Sequence, residues 1–532
     1  GNLTFDGIEL SPSGRKAGFI FLLDEFFKEE KRNIFDSNLE AVISSMALDE
    51  DQNIYVLGHF KNNLLVDQKI YFSNGGYDLF LAKLLPDGEL IEINTYGGSQ
   101  NDFSSQLLIK DQKVYLSGQH SGGFLSNGAL IGSNGSQDGF IAVLDKNNLN
   151  SFEIFQSIGG ESYDEIISFT ISDTGKIFLT GSFINSIRWG SRIYEAFDAK
   201  QNSFIAVFEN DFVESSFVNL SEFGITDTKF LKYNQTNQNL YLAGEFDRTI
   251  VVNGNEKNSN GSLDLFLFKM NQTLSVLEVL TQGGEGTDRV TDFEINPDGN
   301  LFLSGSFTNS LEVGQQELQS SGKIDSYLIQ LNPDSLAIED SFILQGIEKD
   351  QIDSIHSVRS NYLLYGARIE NSQTKNNLSL GILGETLNQP KLMTPLPLTI
   401  SSEKYFKFDF ETGPWLKNPS SLSINRSSNW PQWMNLDISS GGTGTLSGQV
   451  PLDDLQDVTY SIDFDIVSEN NESLPVRHSI TVKDSSQSSP VISGERSLSF
   501  YQFEEFEFSF HAYDKDSDPV IINANLPSWM SL

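Results

Sequence analysis

Six copies of one short strand punctuate the first three quarters of this chain, and their spacing constrains the fold more than any other feature. The copies are Ile54-Tyr-Val-Leu-Gly-His-Phe60, Val114-Tyr-Leu-Ser-Gly-Gln-His120, Ile177-Phe-Leu-Thr-Gly-Ser-Phe183, Leu240-Tyr-Leu-Ala-Gly-Glu-Phe246, Leu301-Phe-Leu-Ser-Gly-Ser-Phe307 and Tyr362-Leu-Leu-Tyr-Gly-Ala-Arg368. Their glycines, Gly58, Gly118, Gly181, Gly244, Gly305 and Gly366, are separated by 60, 63, 63, 61 and 61 residues. So even a period means one module repeated, each burying its apolar faces against its neighbours.

About eighteen residues after each such strand comes a second, beginning at Asp78, Asp138, Asn202, Asp264 or Asp325, with degenerate copies at Ala17–Leu23 and Asn377–Leu383. A turn such as Pro86-Asp-Gly88 follows, then a third strand ending in Gly97-Gly98, Gly159-Gly160 or Gly283-Gly284. A fourth, such as Glu165–Ile171, leads back through Ser172-Asp-Thr-Gly175 to the next repeat. Aspartate-glycine and asparagine-glycine pairs suit these links, because tight hairpin turns need positive φ. Four short antiparallel strands per unit, with no helical periodicity, predict β-propeller blades. Closing the ring removes the sheet edges that an open stack would expose, and the rival β-solenoid has shorter repeats.

These residues also resemble a family. Aromatic-x-x-Gly-x-Phe, then Asp-x-Phe-x-Ala-x-Leu, Asp-Gly and Gly-Gly-x-x-x-Asp look like the bacterial seven-bladed propeller repeat labelled SBBP, over roughly residues 1 to 390. The resemblance implies an extracellular or cell-surface protein and no catalytic residues. Gly1–Asp6 aligns with the segment just after a Gly-x-Phe strand, so the first blade lacks two strands. Either these lie upstream in a longer chain and the ring has seven blades, which is the expectation, or the last copy completes the first in a ring of six.

Near Lys391-Leu-Met-Thr-Pro-Leu-Pro-Leu398 the repeat stops and prolines mark a linker, taken as 391–396. Four of the five tryptophans lie beyond it, a change of core chemistry. Alternating strands such as Tyr405–Phe410 and Tyr460–Ile466 predict a β-sandwich over 397–484. Trp430-Pro-Gln-Trp-Met-Asn-Leu-Asp437 with Gly444-Thr-Leu-Ser-Gly448 resembles bacterial Ig-like domains called cadherin-like or dystroglycan-type, Trp430 replacing the usual leucine. A second copy opens at Ser489-Pro-Val491 and reaches Leu526–Leu532 inside the same motif, so 489–532 is expected to begin a further module of a longer protein.

The formal charge of −37 is spread along the chain, and such a surface repels phosphate backbones and anionic lipids. Nucleic acid is therefore excluded as a partner. No stretch approaches the roughly 20 apolar residues of a membrane span, so direct membrane insertion is not expected. The absence of cysteine removes disulfides, thiolate catalysis and cysteine-ligated metal.

The strongest ligand cluster is Asp514-Lys-Asp-Ser-Asp-Pro519, whose three alternating carboxylates suit a hard cation. Cadherin-like domains use such segments for calcium between modules, and the resemblance carries that role to Asp514, Asp516 and Asp518. A solvated acidic loop is the alternative. A second set, Asp102, Asp164, Asp227, Asp288 and Asp350, recurs just after the third strand, and repetition favours a scaffold role in which each carboxylate accepts backbone N–H bonds. Phe80, Phe140, Phe204 and Phe266 read as inter-blade packing rather than sugar platforms. The histidines, His59, His120, His356, His478 and His511, match no metal spacing, and no nucleophile elbow or phosphate loop occurs.

The expectation is thus an all-β, non-enzymatic fragment of an exported adhesion or binding protein. Its propeller would present loops to a protein or glycan, and its Ig-like modules would form a stalk stiffened by calcium. The competing readings are a polysaccharide lyase or hydrolase, the targeting arm of one, and a purely structural spacer.

Overall fold

The computed structural model describes residues 3–5, 8–23, 29–126, 128–196, 201–209, 212–224, 227–314, 316–320, 323–344, 349–357, 363–369, 377–383, 399–401, 406–411, 422–426, 430–438, 443–448, 458–468, 473–483, 491–493 and 511–513. The chain divides into two units, Gly1–Gln389 and Pro390–Leu532.

The first unit is a β-propeller of successive antiparallel sheets. Blade 1 contributes Gly18–Leu23 and Glu29–Phe35. Five four-stranded blades follow, each a meander whose strands we letter a to d. Blade 2 is Glu40–Leu48, Ile54–Val66, Lys69–Leu84 and Leu90–Tyr96, and blade 3 is Asp102–Lys110, Lys113–His120, Asp138–Asp145 and Asn148–Ile158. Blade 4 is Asp164–Ile171, Ile177–Ile184, Gln201–Glu209 and Val213–Asn219. Blade 5 is Asp227–Asn234, Asn239–Phe246, Asp264–Met270 and Val276–Gln282, and blade 6 is Arg289–Ile295, Leu301–Phe307, Asp325–Leu331 and Ile338–Leu344. Blade 7 shows Asp350–Ser357, Leu363–Ile369 and Asn377–Leu383. Seven blade sheets are therefore described. The last has its own strand c, so it does more than supply the two strands missing from the first.

Strands b and c form the middle of every full blade and are buried on both faces. Strand c of blade 5, Asp264–Met270, is buried at all seven positions. Its side chains serve two neighbours: Phe266 and Phe268 pack with Phe178, Ile205 and Val207 of blade 4, and Leu265 and Leu267 pack with Leu301, Leu303 and Tyr327 of blade 6. Each large side chain so buried contributes about 1.5–3 kcal/mol, which is why the strand reads as a near-continuous apolar run.

The repeat glycine has a steric cause. Across the b–c ladder Gly58 faces Phe80, Gly118 faces Phe140, Gly181 faces Phe204, Gly244 faces Phe266 and Gly305 faces Tyr327. The ring lies over the glycine, while a strand-a carbonyl (that of Val42, Phe103, Glu165, Asp227 or Arg289) closes in from the other side. A methyl group has no room in either direction. In blade 6 the ring is Tyr327, whose hydroxyl donates to that same carbonyl, Arg289 O, at 2.9 Å.

Strand a carries a bulge in every blade from 2 to 7, at the register breaks Ile43/Ser45, Leu116/Gly118 (opposite strand a), Ile166/Ser168, Thr228/Phe230, Val290/Asp292 and Ile352/Ser354. A bulge turns backbone groups out of the ladder. Here they turn toward the preceding blade. Leu107 N–H donates to Ser45 Oγ (3.1 Å), Phe169 N–H to Gln106 Oε1 (2.8 Å), Leu231 N–H to Ser168 Oγ (3.1 Å) and Ile355 N–H to Asp292 Oδ2 (2.9 Å). The remaining donor in this series, Phe293, would need an acceptor at Phe230 and has none there. Its N–H bonds instead to the side chain of Asp292 at 2.7 Å.

The eighteen-residue connection between strands b and c is itself structured. It folds into a two-stranded hairpin, Gly123–Ser126 with Ala129–Gly132, Ser186–Trp189 with Arg192–Glu195, Thr249–Val252 with Asn255–Asn258, and Ser310–Val313 with Gln316–Gln319. Leu3–Phe5 with Ile8–Leu10 is another such hairpin ahead of blade 1, and in blade 2 the hairpin continues strands b and c themselves. Turns such as Asn253-Gly254, at φ 52° and 77°, close them.

The second unit is a β-sandwich of Ig type. One sheet runs Thr399–Ser401, Ser473–Lys483, Val458–Ser468, Leu422–Arg426, with the first pair parallel. The other runs Phe406–Glu411, Thr443–Gly448, Met434–Ile438. Trp430 meets Phe464 edge-to-face at 5.7 Å and donates from Nε1 to Met434 O (2.7 Å), while the Arg426 guanidinium reaches Leu436 O (2.7 Å). These contacts join the two sheets around Met434, Leu436, Leu446, Ile462 and Phe464, all buried. C-terminal to it, Val491–Ser493 pairs antiparallel with His511–Tyr513.

Candidate ligand-binding mouth

The periodic carboxylates are internal. Asp102, Asp164 and Asp288 are fully buried, and each accepts a 2.7 Å bond from the backbone of the second glycine of its pair, Gly98, Gly160 or Gly284. This is the scaffold role expected of them. Burial pushes all three up to about 7, and the aspartates at the start of strand c, Asp78, Asp138 and Asp264, add to the rise. Asp350 is also buried. Asp227 is different: it pairs in register with Glu245, as Glu165 does with Ser182, so it sits one residue out of phase with the others. It is part-exposed and bound to Lys229 Nζ at 2.7 Å.

Phe80, Phe140, Phe204 and Phe266 are fully buried, as expected for packing residues. The histidines of the related strands separate. His120 is sealed among Phe124, Phe140 and Phe155 with Nε2 2.7 Å from Ser157 Oγ, whereas His59, one position earlier in the repeat, is half-buried between Tyr77 and Phe103. Asp514, Asp516 and Asp518 lie outside the described residues. Among the described residues no group of three or more histidines and carboxylates is placed to hold a metal.

Within each blade strand a begins where strand b ends, because they are antiparallel. The residue after the repeat glycine therefore lies beside the first residues of strand a: Gln119 opposite Phe103, Ser182 opposite Glu165, Glu245 opposite Asp227 and Ser306 opposite Arg289. The scaffold repeats from blade to blade, and these positions do not.

At blades 2 and 3 the mouth is aromatic and acidic. His59 meets Tyr77 at 5.8 Å and Phe103 at 5.2 Å, both edge-on, and its Nδ1 lies 3.1 Å from Ser104 Oγ. Tyr77 Oη donates to Glu40 Oε2 (2.7 Å), and Arg15 pairs with Glu40 Oε1 (3.2 Å). The tyrosine hydroxyl, with Lys16 and Arg15, holds Glu40 below the usual glutamate range. Burial, with Lys16 adding to it, holds His59 down to about 4, so its ring is neutral at pH 7.

At blades 3 and 4 a planar polar network replaces the rings. Glu165 accepts from Gln119 Nε2 (2.7 Å) and Tyr163 Oη (3.3 Å) on one oxygen, and from Ser182 Oγ (2.7 Å) and Gln201 Nε2 (3.3 Å) on the other. Gln137 Nε2 donates to Gln119 Oε1 at 2.5 Å. At blades 5 and 6 the charges alternate: Glu245 accepts from Val290 N–H (3.1 Å) and Arg289 Nη1 (3.3 Å), beside the Asp227–Lys229 pair. Burial raises Glu245. Sequence reasoning singled out none of these except His59 and Asp227. The available signal was variation at one fixed position, the residue after each repeat glycine.

Three comparisons bear on the chain. No protein family model matches it, and neither does any curated protein. Among solved structures it is similar to a Synechocystis apocarotenoid oxygenase mutant, with 11% identity and a TM-score of 0.33 over 60% of this chain and 68% of that one. It is also similar to a bifunctional GH43-CE protein of Bacteroides eggerthii, with 13% identity and a TM-score of 0.28 over 83% of this chain and 52% of that one. A third is the extracellular domain of a B. thetaiotaomicron one-component system, with 9% identity and a TM-score of 0.21 over 91% of each chain. None of these similarities assigns chemistry to this chain. Among the described residues no helix is long and apolar enough to cross a membrane.

Proposed function

We propose that this is a non-enzymatic recognition protein of the cell exterior, whose propeller mouth binds a polyhydroxylated ligand, a glycan, and whose Ig-like modules carry it as a stalk. The observation that carries the reading is the contrast between a symmetric scaffold and an asymmetric mouth. Fixed positions hold His59, Gln119, Ser182, Glu245 and Ser306 in successive blades, so one rigid surface offers different chemistry at each step. Half-buried rings (Tyr77, Phe103) suit the C–H faces of sugars, and planar amides and carboxylates (Gln119, Gln201, Glu165) suit paired hydroxyls. Most of these polar groups are already bonded to one another, which holds them in place before a ligand arrives and lowers the cost of binding. The sequence resemblance to SBBP repeats and cadherin-like modules points to the same setting.

Binding is tested by titrating the full chain with a panel of neutral and acidic polysaccharides by calorimetry. A binder should lose at least tenfold in affinity when Gln119→Ala and Glu165→Gln are combined, with the melting temperature kept within a few degrees. Release of reducing ends or unsaturated products from any polysaccharide would replace this reading with an enzymatic one.

A further inference from the structure

The buried carboxylates come in pairs, one from each of two adjacent blades. Asp78 at the start of strand c lies within electrostatic reach of Asp102 at the start of the next strand a, as Asp138 does of Asp164 and Asp264 of Asp288. Each pair brackets one Gly-Gly corner. Asp78 Oδ1 is directed at the first glycine, 2.6 Å from where a Gly97 Cβ would stand, and Asp102 Oδ2 takes the N–H of the second, Gly98. Asp138 Oδ1 stands in the same way 2.6 Å from the Cβ position of Gly159, and Asp264 Oδ1 2.5 Å from that of Gly283. Every one of these strand-c oxygens is buried and without a hydrogen-bond partner, on side chains 0%, 0% and 3% exposed. Oδ1 of Asp164 and of Asp288 is in the same state.

The pairing is all-or-none, and Asp325 with Asp350 make a fourth buried pair at the junction of blades 6 and 7, where the sequence has Gln345-Gly346 in place of Gly-Gly. At the junction of blades 1 and 2 the two positions are Ala17 and Ala41, and at that of blades 4 and 5 they are Asn202 and Thr226; both junctions also lack the Gly-Gly corner. If each carboxylate served only as a backbone acceptor, one could be present without the other, and a lone one would avoid like-charge repulsion in a buried site. Their joint presence calls for something positive between them. Burial outweighs the backbone N–H bonds these groups accept and raises Asp78 to about 6 and Asp102 to about 7, so a shared proton is the competitor that a cation must displace. The carbonyl of the second glycine lies against the turn that leads into the strand-c aspartate. A Cβ on Gly75, in the turn that caps Asp78, would stand 2.6 Å from Gly98 O, on Gly135 2.6 Å from Gly160 O, and on Gly261 2.5 Å from Gly284 O.

We propose that these three blade junctions are divalent-cation sites, each taking a calcium-class ion between the strand-c aspartate of one blade and the strand-a aspartate of the next. Two carboxylates, a glycine carbonyl and water make the kind of oxygen shell that calcium accepts. The sites would pin adjacent blades together at the mouth end, and they are separate from the Asp514–Asp518 segment.

The test uses the full chain with Asp514, Asp516 and Asp518 all changed to Asn, so that only propeller sites report. After EDTA treatment, calcium should bind with a stoichiometry of at least three and raise the propeller melting temperature by 5 °C or more at pH 8. Asp138→Asn with Asp164→Asn should remove one bound ion. In EDTA that double variant should melt no lower than its parent, since it loses a repulsion, and this separates ligand loss from misfolding. No bound calcium on the propeller would overturn the proposal. So would a parent that is stabilised to the same extent by acidification to pH 5 in EDTA and gains nothing from calcium, because a proton would then fill the role of the ion.

Discussion

At the residue scale, the repeat glycine is the most constrained position in the chain. Gly181 is held between the Phe204 ring and Glu165 O, so Gly181→Ala must displace either a fully buried aromatic or the backbone of the bulged strand. We expect a loss of about 2–3 kcal/mol, read as a shift in urea midpoint with the slope unchanged. His59 gives a pH signature. Its ring is held neutral, near 4 against an ordinary 6.5, so protons bind the unfolded chain more readily than the folded one. The associated stability is complete above pH 6.5 and disappears as pH falls through 4, a span of about 3 kcal/mol. His59→Gln should flatten this part of the stability–pH curve; an unchanged slope between pH 6.5 and 4 would assign it to other groups.

At the scale of the element, strands b and c were legible because burial on both faces writes an apolar run between turn residues. Strand a was legible as a strand and opaque as a bulge. The bulged positions, Ser44, Ile167, Lys229, Thr291 and Asp353, share no residue type, since what they require is backbone geometry. The inserted hairpins were passed over as connections even though Asn253-Gly254 is a strong hairpin signal. Their strands are four residues long and mostly polar outside, too short for periodicity to register. The mouth was invisible for a related reason, since reading by similarity discards positions where repeats disagree. The bulge makes its own prediction. Ser168 Oγ donates to Gln106 Oε1 (3.1 Å) and accepts Leu231 N–H, linking blades 3, 4 and 5. Ser168→Ala leaves a buried N–H unmet and should cost about 1–3 kcal/mol. Ser168→Thr, which keeps the oxygen, should recover most of it.

At the scale of the whole molecule, the sequence separated the repeat from the Trp-containing region because their cores use different residues. It could not say which charged groups meet. Most ion pairs here are part-exposed, such as Lys113–Glu153 (2.7 Å) and Lys176–Glu209 (3.0 Å), and contribute little one by one. The net charge of −37 acts collectively. Raising NaCl from about 10 mM to about 0.5 M shortens the screening length several-fold and should raise the melting temperature by several degrees. A fall on adding salt would mean that specific ion pairs outweigh the general repulsion.

A chain of near copies faces a hazard that a chain of unlike parts does not: any blade can settle against the wrong neighbour. The bulged strand bears on that error. Its outward N–H needs a polar partner at one defined place on the preceding blade, and Ser45, Gln106, Ser168 and Asp292 supply it. Blade 5 offers Phe230 instead, and among the described residues only blade 6 brings its own acceptor, Asp292. A blade 7 docked on blade 5 would bury an unanswered donor, whereas blade 6 docks there without loss. The misfit at one seam thus works as a key that reserves the face of blade 5 for blade 6 among otherwise similar blades.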